Sequence, residues 1–380
     1  MRSGKYEVQP GGYKAFIPSS LLPTPIIQMN ADLWNELSHA DRALGRLDGV
    51  SDTLPNPDLF VAMYVRKEAV LSSQIEGTQA SLADLLEFEA EIPSEQSESG
   101  DVADIVDVVN YVAAMKAGLG RLKTLPVSVR LIKEIHANLL ADVRGGDKAP
   151  GELRKIQNWI GSDGAPITKA LFVPPPPQRI EEALSDLEKF IHSDAPLPAL
   201  IKVGLVHAQF ETIHPFLDGN GRMGRLLIAF LLCEKKILHR PLLYLSHFFK
   251  AHQSEYYDRL QATRDKDDWE GWLKFFLKGV STVAEEATST ARKISLLREQ
   301  HRNEVLQSSG KGAATALELL EHLYFHPVIT VENAMSATKT AYPNANRLIG
   351  DFVKLGILKE MTGQKRNRKF AYAPYLSLFD

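Results

Sequence analysis

The sequence predicts a mainly α-helical protein with two small β elements. Apolar residues recur near a 3.6-residue period in one segment after another, which marks amphipathic helices. Only two places, Asn158 to Pro177 and Gly356 to Tyr372, turn from that pattern toward strands. The composition, 44% hydrophobic and 24% charged over 380 residues, is that of a globular chain able to bury sizeable cores.

Residues 1–30 read as irregular, with Pro10, Gly11, Gly12, Pro18, Pro23 and Pro25. Leu33, Leu37, Ala40 and Leu44 mark a helix over 31–47. Pro55-Asn56-Pro57 breaks the chain, and a helix follows from near Asp58, with Phe60, Met63, Tyr64, Val70 and Leu71 on its apolar side. It ends near Glu76-Gly77, since glycine is preferred just past a helix C-terminus. Residues 91–100 are polar and acidic and read as an exposed loop, and the wider acidic stretch 85–104 as solvated. Helices are expected at 102–120 and 127–142. Trp159-Ile160-Gly161 and Leu171-Phe172-Val173 flank a Gly/Pro turn region, the pattern of a small β-hairpin. Pro174 to Pro177 exclude a helix and allow one to start just after them. Helices are then expected at 178–193, 198–213, 220–235, 248–263, 267–282 and 283–306. Ser308-Ser309-Gly310-Lys311-Gly312 reads as a hinge. Beyond it lie three short helices, 313–324, 330–337 and 343–355, and two strands, Gly356-Ile357-Leu358 and Phe370-Ala371-Tyr372, joined by a polar turn.

The charges nearly balance, 44 Lys+Arg against 47 Asp+Glu. That excludes a chain-wide coat for nucleic acid and leaves room only for a local basic patch. The single cysteine, Cys233, excludes an intramolecular disulfide framework and a cysteine-rich zinc site, and it suits a reducing compartment. The N-terminus lacks the apolar stretch of a secretory signal. The longest apolar run, Leu226 to Cys233, falls short of the roughly 20 residues a membrane helix needs. A cytoplasmic protein without a membrane partner is expected.

The most informative stretch is His214-Pro215-Phe216-Leu217-Asp218-Gly219-Asn220-Gly221-Arg222-Met223-Gly224-Arg225. Apolar helical patterns end just before it and begin just after it, so it is the turn between two buried helices. Gly219 and Gly221 let the backbone approach a ligand closely. The N–H groups that open the second helix make an anion site. Arg222 and Arg225, three apart, share one helix face and suit a multiply charged anion. Asp218 is a hard oxygen ligand for Mg²⁺ on a phosphate. His214 can take a proton from an attacking hydroxyl. Together these groups describe nucleotide-dependent transfer to a hydroxyl.

This stretch resembles the Fic family signature, H-x-F-x-(D/E)-G-N-G-R-x-x-R, at every specified position. The resemblance implies transfer of AMP from ATP to a Ser, Thr or Tyr hydroxyl of a target protein, releasing pyrophosphate. It casts His214 as the general base and Asp218 as the Mg²⁺ ligand. Gly219, Asn220 and Gly221 become the anion hole, Arg222 holds the polyphosphate and Arg225 the γ-phosphate. ATP and Mg²⁺ are the implied substrate and cofactor. Members that transfer UMP, phosphocholine or phosphate, or that remove AMP, share the signature.

Further matches extend over roughly 60–265. Gly151-Glu152-Leu153-Arg154, Gln157-Asn158-Trp159-Ile160-Gly161 and Phe172-Val173 with the four prolines resemble the family's flap. There a hairpin pairs with the target as an added strand, which makes Trp159, Ile160, Gly161, Phe172 and Val173 the docking residues. Leu245 to Tyr257 resembles the segment bordering the nucleotide base, although relatives often carry Asn-Arg where this chain has His252-Gln253. Tyr256 and Tyr257 are either an aromatic wall for the base or packing residues. His136 and His207, at helical spacing among apolar residues, read as hydrogen-bonded structural histidines, and Cys233 as a core residue.

Ser72-Ser73-Gln74-Ile75-Glu76-Gly77 matches the family's inhibitory motif, (S/T)-x-x-x-E-(G/N), placed N-terminal to the catalytic one. Ser72 and Glu76 share a helix face. Packed on the site, Glu76 would form a bidentate pair with Arg225 and withhold it from the γ-phosphate. One charge-assisted hydrogen bond contributes about 1.5–3 kcal/mol, or roughly 10- to 150-fold suppression.

Residues 313–375 resemble a winged helix-turn-helix. Lys339 to Val353 would be the recognition helix. Met361 to Lys369 would be the wing turn, with four basic residues among nine. The resemblance therefore implies a Fic-type helical domain with a small β-hairpin flap, followed by a winged-helix-like domain. The expected division is 1–125 for the N-terminal region with the inhibitory motif, 126–306 for the catalytic core and 310–380 for the C-terminal domain. The partners it admits are a protein substrate, a second copy in a homodimer, and DNA at the C-terminal domain. Two other readings are a nucleotide-sensing DNA-binding regulator and a Fic enzyme that removes AMP or moves another group. The intact His214 favours transfer over sensing, because a sensor needs no base.

Overall fold

The computed structural model describes residues 1–380 apart from 54–55, 91–99, 142–147, 162–163, 365 and 380. The chain begins with a hairpin where irregular structure was expected. Strands β1 (Gly4–Val8) and β2 (Lys14–Pro18) pair antiparallel, with Tyr6 opposite Phe16. Pro10 lies in the turn and Pro18 at a strand end, positions where proline is compatible with a sheet.

Helix α1 (Ala31–Thr53) starts beneath Asn30, whose side chain accepts from the Leu33 N–H. Helix α2 (Pro57–Ile75) has Asn56 as cap and Pro57 in its first turn, as helix N-termini prefer. The stretch expected to be solvated holds α3 (Leu82–Ala90) and the start of α4 (Gly100–Arg121). Leu85 and Leu86 are buried there, while Asp84, Glu87 and Glu89 on the outer side give the sequence its acidic look. Residues 91–99 of the expected loop lie outside the described residues.

Helices α5 (Val129–Leu139) and α6 (Ile180–His192) precede the centre of the fold. That centre is α7 (Ala199–Ile213) and α8 (Asn220–Glu234), buried along nearly their whole lengths. A helix apolar all round belongs inside, and here α2, α4 and α5 flank α8 while α6 and two later helices flank α7. The helix expected over 248–263 is two, α9 (Ser246–Ala251) and α10 (Gln253–Lys266), because His252 leaves the helical region at φ −123° and ψ 39°. The two expected over 267–306 are one, α11 (Trp269–Ser309), which lies along α1. Neither Gly nor Pro interrupts it between Val280 and Ser309, so nothing stops propagation.

The expected flap hairpin is a single antiparallel bridge, Ile160 to Phe172, with a short 3₁₀ turn at Ile167–Lys169. Proline supplies no N–H, so Pro174 to Pro177 cannot donate to a longer ladder.

After a 3₁₀ turn at Gly310–Gly312 come α12 (Ala313–Phe325), β3 (Val328–Ile329), α13 (Val331–Thr338), α14 (Tyr342–Lys354), β4 (Lys359–Glu360), β5 (Phe370–Ala371) and α15 (Ala373–Leu376). The strands form an antiparallel sheet in the order β3-β5-β4. The helix expected from Lys339 starts later because Lys339 takes a left-handed conformation and closes α13. Ile357 and Leu358 are buried just ahead of β4 rather than paired within it. This unit rests on the N-terminal helices. Helix α12 packs on α2, and the Phe379 ring meets the Tyr64 ring at 5.5 Å.

Candidate active site

The turn between α7 and α8 is held in a conformation it would not adopt alone. His214 caps α7 at φ 48° and ψ 61°, a left-handed geometry that costs a non-glycine residue about 1–3 kcal/mol. Its carbonyl accepts from Arg154 Nε at 2.9 Å, and the Pro215 carbonyl accepts from the Arg154 N–H at 3.0 Å. The Asn220 amide bonds the Phe216 backbone in both directions, each at 2.9 Å. The His136 ring stacks on Phe216 with centroids 3.6 Å apart. Its Nδ1 accepts from the Gly151 N–H, so the proton sits on Nε2, which donates to the Asp218 carbonyl at 2.9 Å. Burial pushes the His136 pKa down to about 4. It is a structural histidine, as the sequence predicts. His207 is another, with Nδ1 donating to the Gly224 carbonyl and Nε2 accepting from Tyr256. Gly219 sits at φ 72°, where only glycine is at ease.

The residues expected to react line this turn. Burial first, then the Arg154 and Arg264 guanidinium groups, push the His214 pKa down to about 3, while the Glu211 carbonyl and Asp218 oppose them. The imidazole is therefore neutral near pH 7, and its buried Nδ1 has no hydrogen-bond partner. Asp218 keeps 45% of its side chain exposed, with Oδ1 accepting from the Gly219 N–H at 2.6 Å and Oδ2 3.8 Å from Lys148 Nζ. Arg222 is buried against Asp107 of α4 at 3.5 Å, yet its Nε and Nη1 make no hydrogen bond. A buried guanidinium with open donors is costly, and an anion at the start of α8 would relieve it.

Arg225 is already engaged. Its Nε donates to Ser72 Oγ at 2.8 Å, and its Nη2 donates to the Ser72 carbonyl at 2.9 Å and to Glu76 Oε1 at 2.6 Å. The expected bidentate pair with Glu76 is thus monodentate, because Ser72 takes the remaining contacts. Burial alone would lower the Arg225 pKa, but Glu76, Tyr256 and Glu211 hold it above its ordinary value. A Cβ placed on Gly221 would lie 2.1 Å from Glu76 Oε1. The carboxylate therefore rests on the first turn of α8, where an incoming anion would bind. Helix α2 is fixed there by Glu68, which accepts from Tyr111, from Ser246 Oγ at 2.6 Å and from the Ser246 N–H. Gln253 donates to the Ile75 carbonyl at 3.0 Å, so the residue that departs from the family pattern touches α2.

Of the two tyrosines expected beside the base, Tyr256 is a packing residue, 1% exposed and stacked on Phe249. Tyr257 is 45% exposed. In the flap, Trp159 and Ile160 are exposed, whereas Phe172 and Val173 are buried. Phe172 lies under Arg264, and the Val173 carbonyl accepts from the Phe16 N–H of β2 at 2.9 Å. Of the five residues expected to dock a target, only Trp159 and Ile160 present exposed side chains. In the segment expected to form a wing, Arg368 binds Asn346 and Lys369 binds Glu87 of α3 at 3.1 Å. Lys365 lies outside the described residues, and Arg366 is exposed.

Sequence reasoning missed Asp107 beside Arg222, the Glu68 network under α2 and the buried Arg154. Apart from Ile156, two residues from Arg154, their partners lie far off in the chain, so no local pattern could have revealed them.

Residues 34–120 match the family model described as Fic/DOC family N-terminal, and residues 126–232 match the Fic/DOC family model. A relative from Aquifex aeolicus (strain VF5), named a probable protein adenylyltransferase, is 30% identical over 180 residues, 47% of this chain and 51% of that protein. The protein adenylyltransferase Fic of Aedes aegypti is 31% identical over 143 residues, 37% of this chain and 25% of that protein. The chain thus spans about half the length, or less, of these curated relatives. A crystal structure of a Fic family protein from Desulfovibrio desulfuricans G20 shares the fold at a TM-score of 0.59 and 18% identity, over 91% of this chain and 97% of that one.

Proposed function

The chain belongs to the Fic/DOC family, and on that premise we propose that it is an autoinhibited protein adenylyltransferase, which moves AMP from ATP to a Ser, Thr or Tyr hydroxyl of a protein. The observation that carries the reading is Arg225, buried and bound by Ser72 and Glu76 within the turn that carries His214. The neutral His214 imidazole accepts the proton of the target hydroxyl. The hydroxyl oxygen bonds to the α-phosphorus, and pyrophosphate leaves. The resulting imidazolium is favoured by the triphosphate charge beside it. The open N–H groups of the α8 first turn and the unbonded donors of Arg222 hold the phosphates. Arg225, once released, takes the γ-phosphate.

Asp218 suits Mg²⁺: one partly exposed carboxylate, with no cluster of three or more His, Cys, Asp or Glu among the described residues to form a closed site. Mg²⁺ commonly binds through one or two carboxylates plus substrate phosphates. When bound it would supply charge neutralisation on the phosphates. The exposed edge at Trp159 to Gly161 is the docking strand for the target, and Tyr257 borders the base. We divide the chain into an inhibitory N-terminal region, 1–125, a catalytic core, 126–306, and a winged-helix-like unit, 310–380. The helix and sheet order of that last unit supports its reading, but with two of its basic wing residues tied to the protein's own side chains we assign it no DNA partner.

Glu76 is 37% exposed on its side chain and gives Arg225 one charge-assisted bond. The lower end of the expected suppression, about tenfold, follows from that bond, and repulsion of the triphosphate adds to it. The test is Glu76→Gly protein incubated with Mg²⁺ and ATP labelled at either the α- or the γ-phosphate, with His214→Ala as control. Protein-bound α label that rises at least tenfold over the parent and vanishes in the His214 variant is the expected result. Label from γ alone would mean phosphate transfer, and equal labelling of parent and Glu76→Gly would remove the brake.

A further inference from the structure

We propose that Arg154 is a positioning residue that locks the docking flap to the catalytic turn, so that one guanidinium sets where His214 and the target strand stand relative to each other. The inference rests on reading His214 as the base and the flap as the docking element.

Arg154 is 3% exposed, and among the described residues no carboxylate lies within ion-pair distance of it. Its partners are carbonyls. Nε donates to His214, Nη1 to Ile156 at 3.3 Å and Nη2 to Pro175, while its own N–H donates to Pro215 at 3.0 Å. Two of these acceptors belong to the turn and two to the flap. The His214 carbonyl sits at the C-terminus of α7, where the helix offers no partner and the dipole favours a cation. The Pro175 carbonyl lies in a run of four prolines, a stiff segment that transmits the position of its anchor. Arg264 approaches from α10 over the Phe172 ring and bonds Thr212 of α7 at 3.1 Å, so it ties the flap to α7 and does not reach the turn's backbone. A planar fork with five donors in fixed directions spans acceptors on separate segments, which a compact three-donor ammonium group reaches less well.

Neighbouring anchors separate this role from general packing. Gln157 donates to the Pro174 carbonyl at 3.0 Å and to the Asn158 carbonyl, both within the flap. Asn158 reaches the turn through the Phe216 carbonyl at 3.0 Å but does not touch His214. The anion site is held by Asn220, independently of Arg154. Loss of Arg154 should therefore misplace the base and the acceptor while leaving the nucleotide site formed.

The experiment uses the full chain in the Glu76→Gly background, with Arg154→Met, Arg154→Lys and Gln157→Ala. Hydrogen exchange of the free protein is followed in peptides covering the flap, 156–175, and the turn, 213–222. Self-labelling from α-labelled ATP is followed against ATP concentration. Arg154→Met should speed exchange about tenfold in both segments, and Gln157→Ala in the flap alone. The maximal labelling rate should fall about 100-fold in Arg154→Met with half-saturating ATP changed less than threefold, and Arg154→Lys should fall between. If Arg154→Met does not fold, Arg154→Lys carries the same comparison. Faster exchange confined to the flap, or half-saturating ATP rising in step with the lost rate, would overturn the proposal. If no variant labels, the adenylyltransferase reading fails, and the exchange pattern alone still decides whether Arg154 couples the two segments.

Discussion

Two basic regions of this protein treat their charges in opposite ways. In the turn between α7 and α8, Arg222 and Arg225 are buried. One keeps unbonded donors, and the other borrows Ser72 and Glu76 from a distant helix. His214 beside them sits in a left-handed backbone with a depressed pKa. In the C-terminal wing, Arg368 and Lys369 are partly exposed and satisfied by Asn346 and Glu87. That segment also places Asn367 at φ 52° and leaves the buried Thr362 hydroxyl without a partner, but no guanidinium or ammonium group among its described residues is buried with open donors. Costs tolerated in the turn mark where a ligand or a reaction supplies what the fold withholds, whereas basic residues at modest cost mark surface.

The sharpest test of that contrast is His214→Ala in the Glu76→Gly background. Loss of a positioned general base should lower the labelling rate by about 10²–10⁴-fold. A fall below tenfold would break the contrast, because the strained residue would then be dispensable.

A smaller effect separates the two arms of the proposed brake. Ser72→Ala removes the hydroxyl that accepts from Arg225 Nε but leaves Glu76 in place. With a charged donor that bond lies near the lower end of about 1.5–3 kcal/mol, so activation of about tenfold is expected, below that of Glu76→Gly, where relief of the triphosphate's repulsion adds to it. Initial rates of α-label incorporation in the two variants measure the order. If Ser72→Ala activates more, the carboxylate is not the principal arm.

How much of this was legible follows from where each residue's partner stands. His214 to Arg225 is contiguous, so its chemistry could be read before any coordinates, and Ser72 and Glu76 share a helix face and could be matched as a pair. The bidentate geometry expected of Glu76 could not be checked that way, because it depends on Ser72 reaching Arg225 with its own backbone carbonyl. Continuous apolar runs on either side of the signature located α7 and α8 closely, because both are buried on all sides. Periodicity missed α3, whose Leu85 and Leu86 are hidden among acidic residues, and the β1–β2 hairpin, where prolines stand at positions a hairpin tolerates. It gave Tyr256 and Tyr257 equal standing, since adjacent residues on a helix point apart and only packing decides which one is buried.

Acid stability probes the buried groups of the turn. His136, His207 and His214 have folded pKa values of about 4, 3 and 3, against about 6.5 unfolded. Their contribution is complete above pH 6.5 and is lost as pH falls toward those folded values. Glu68 and Glu211 oppose them. Burial raises both to about 7, so their contribution is complete below the unfolded carboxylate value and is lost as pH rises through 7. Between about pH 4.5 and 6.5 the two glutamates offset two of the three histidines, and a net slope of about one proton remains. Glu211→Gln removes one opposing proton, so the drop in Tm between pH 7 and pH 5 should grow by about 2–5 °C in calorimetry. An unchanged drop would mean that Glu211 is ionised in the fold.

The smallest effects are expected in the wing. Lys369 and Glu87 form a pair with 17% and 37% of their side chains exposed, and such pairs contribute about 0–1 kcal/mol. A double-mutant cycle with Lys369→Ala and Glu87→Ala, measured by urea denaturation, should give a coupling within that range. Labelling rates of Lys369→Ala and Arg366→Ala in the Glu76→Gly background should stay within about twofold of the parent. The informative failure is a large change in rate with little change in stability. Helix α12 packs directly on α2, and the Phe379 ring meets Tyr64 of α2. A rate change relayed through those contacts would make the C-terminal unit part of the brake, with its inexpensive surface charges serving to hold α2 in place.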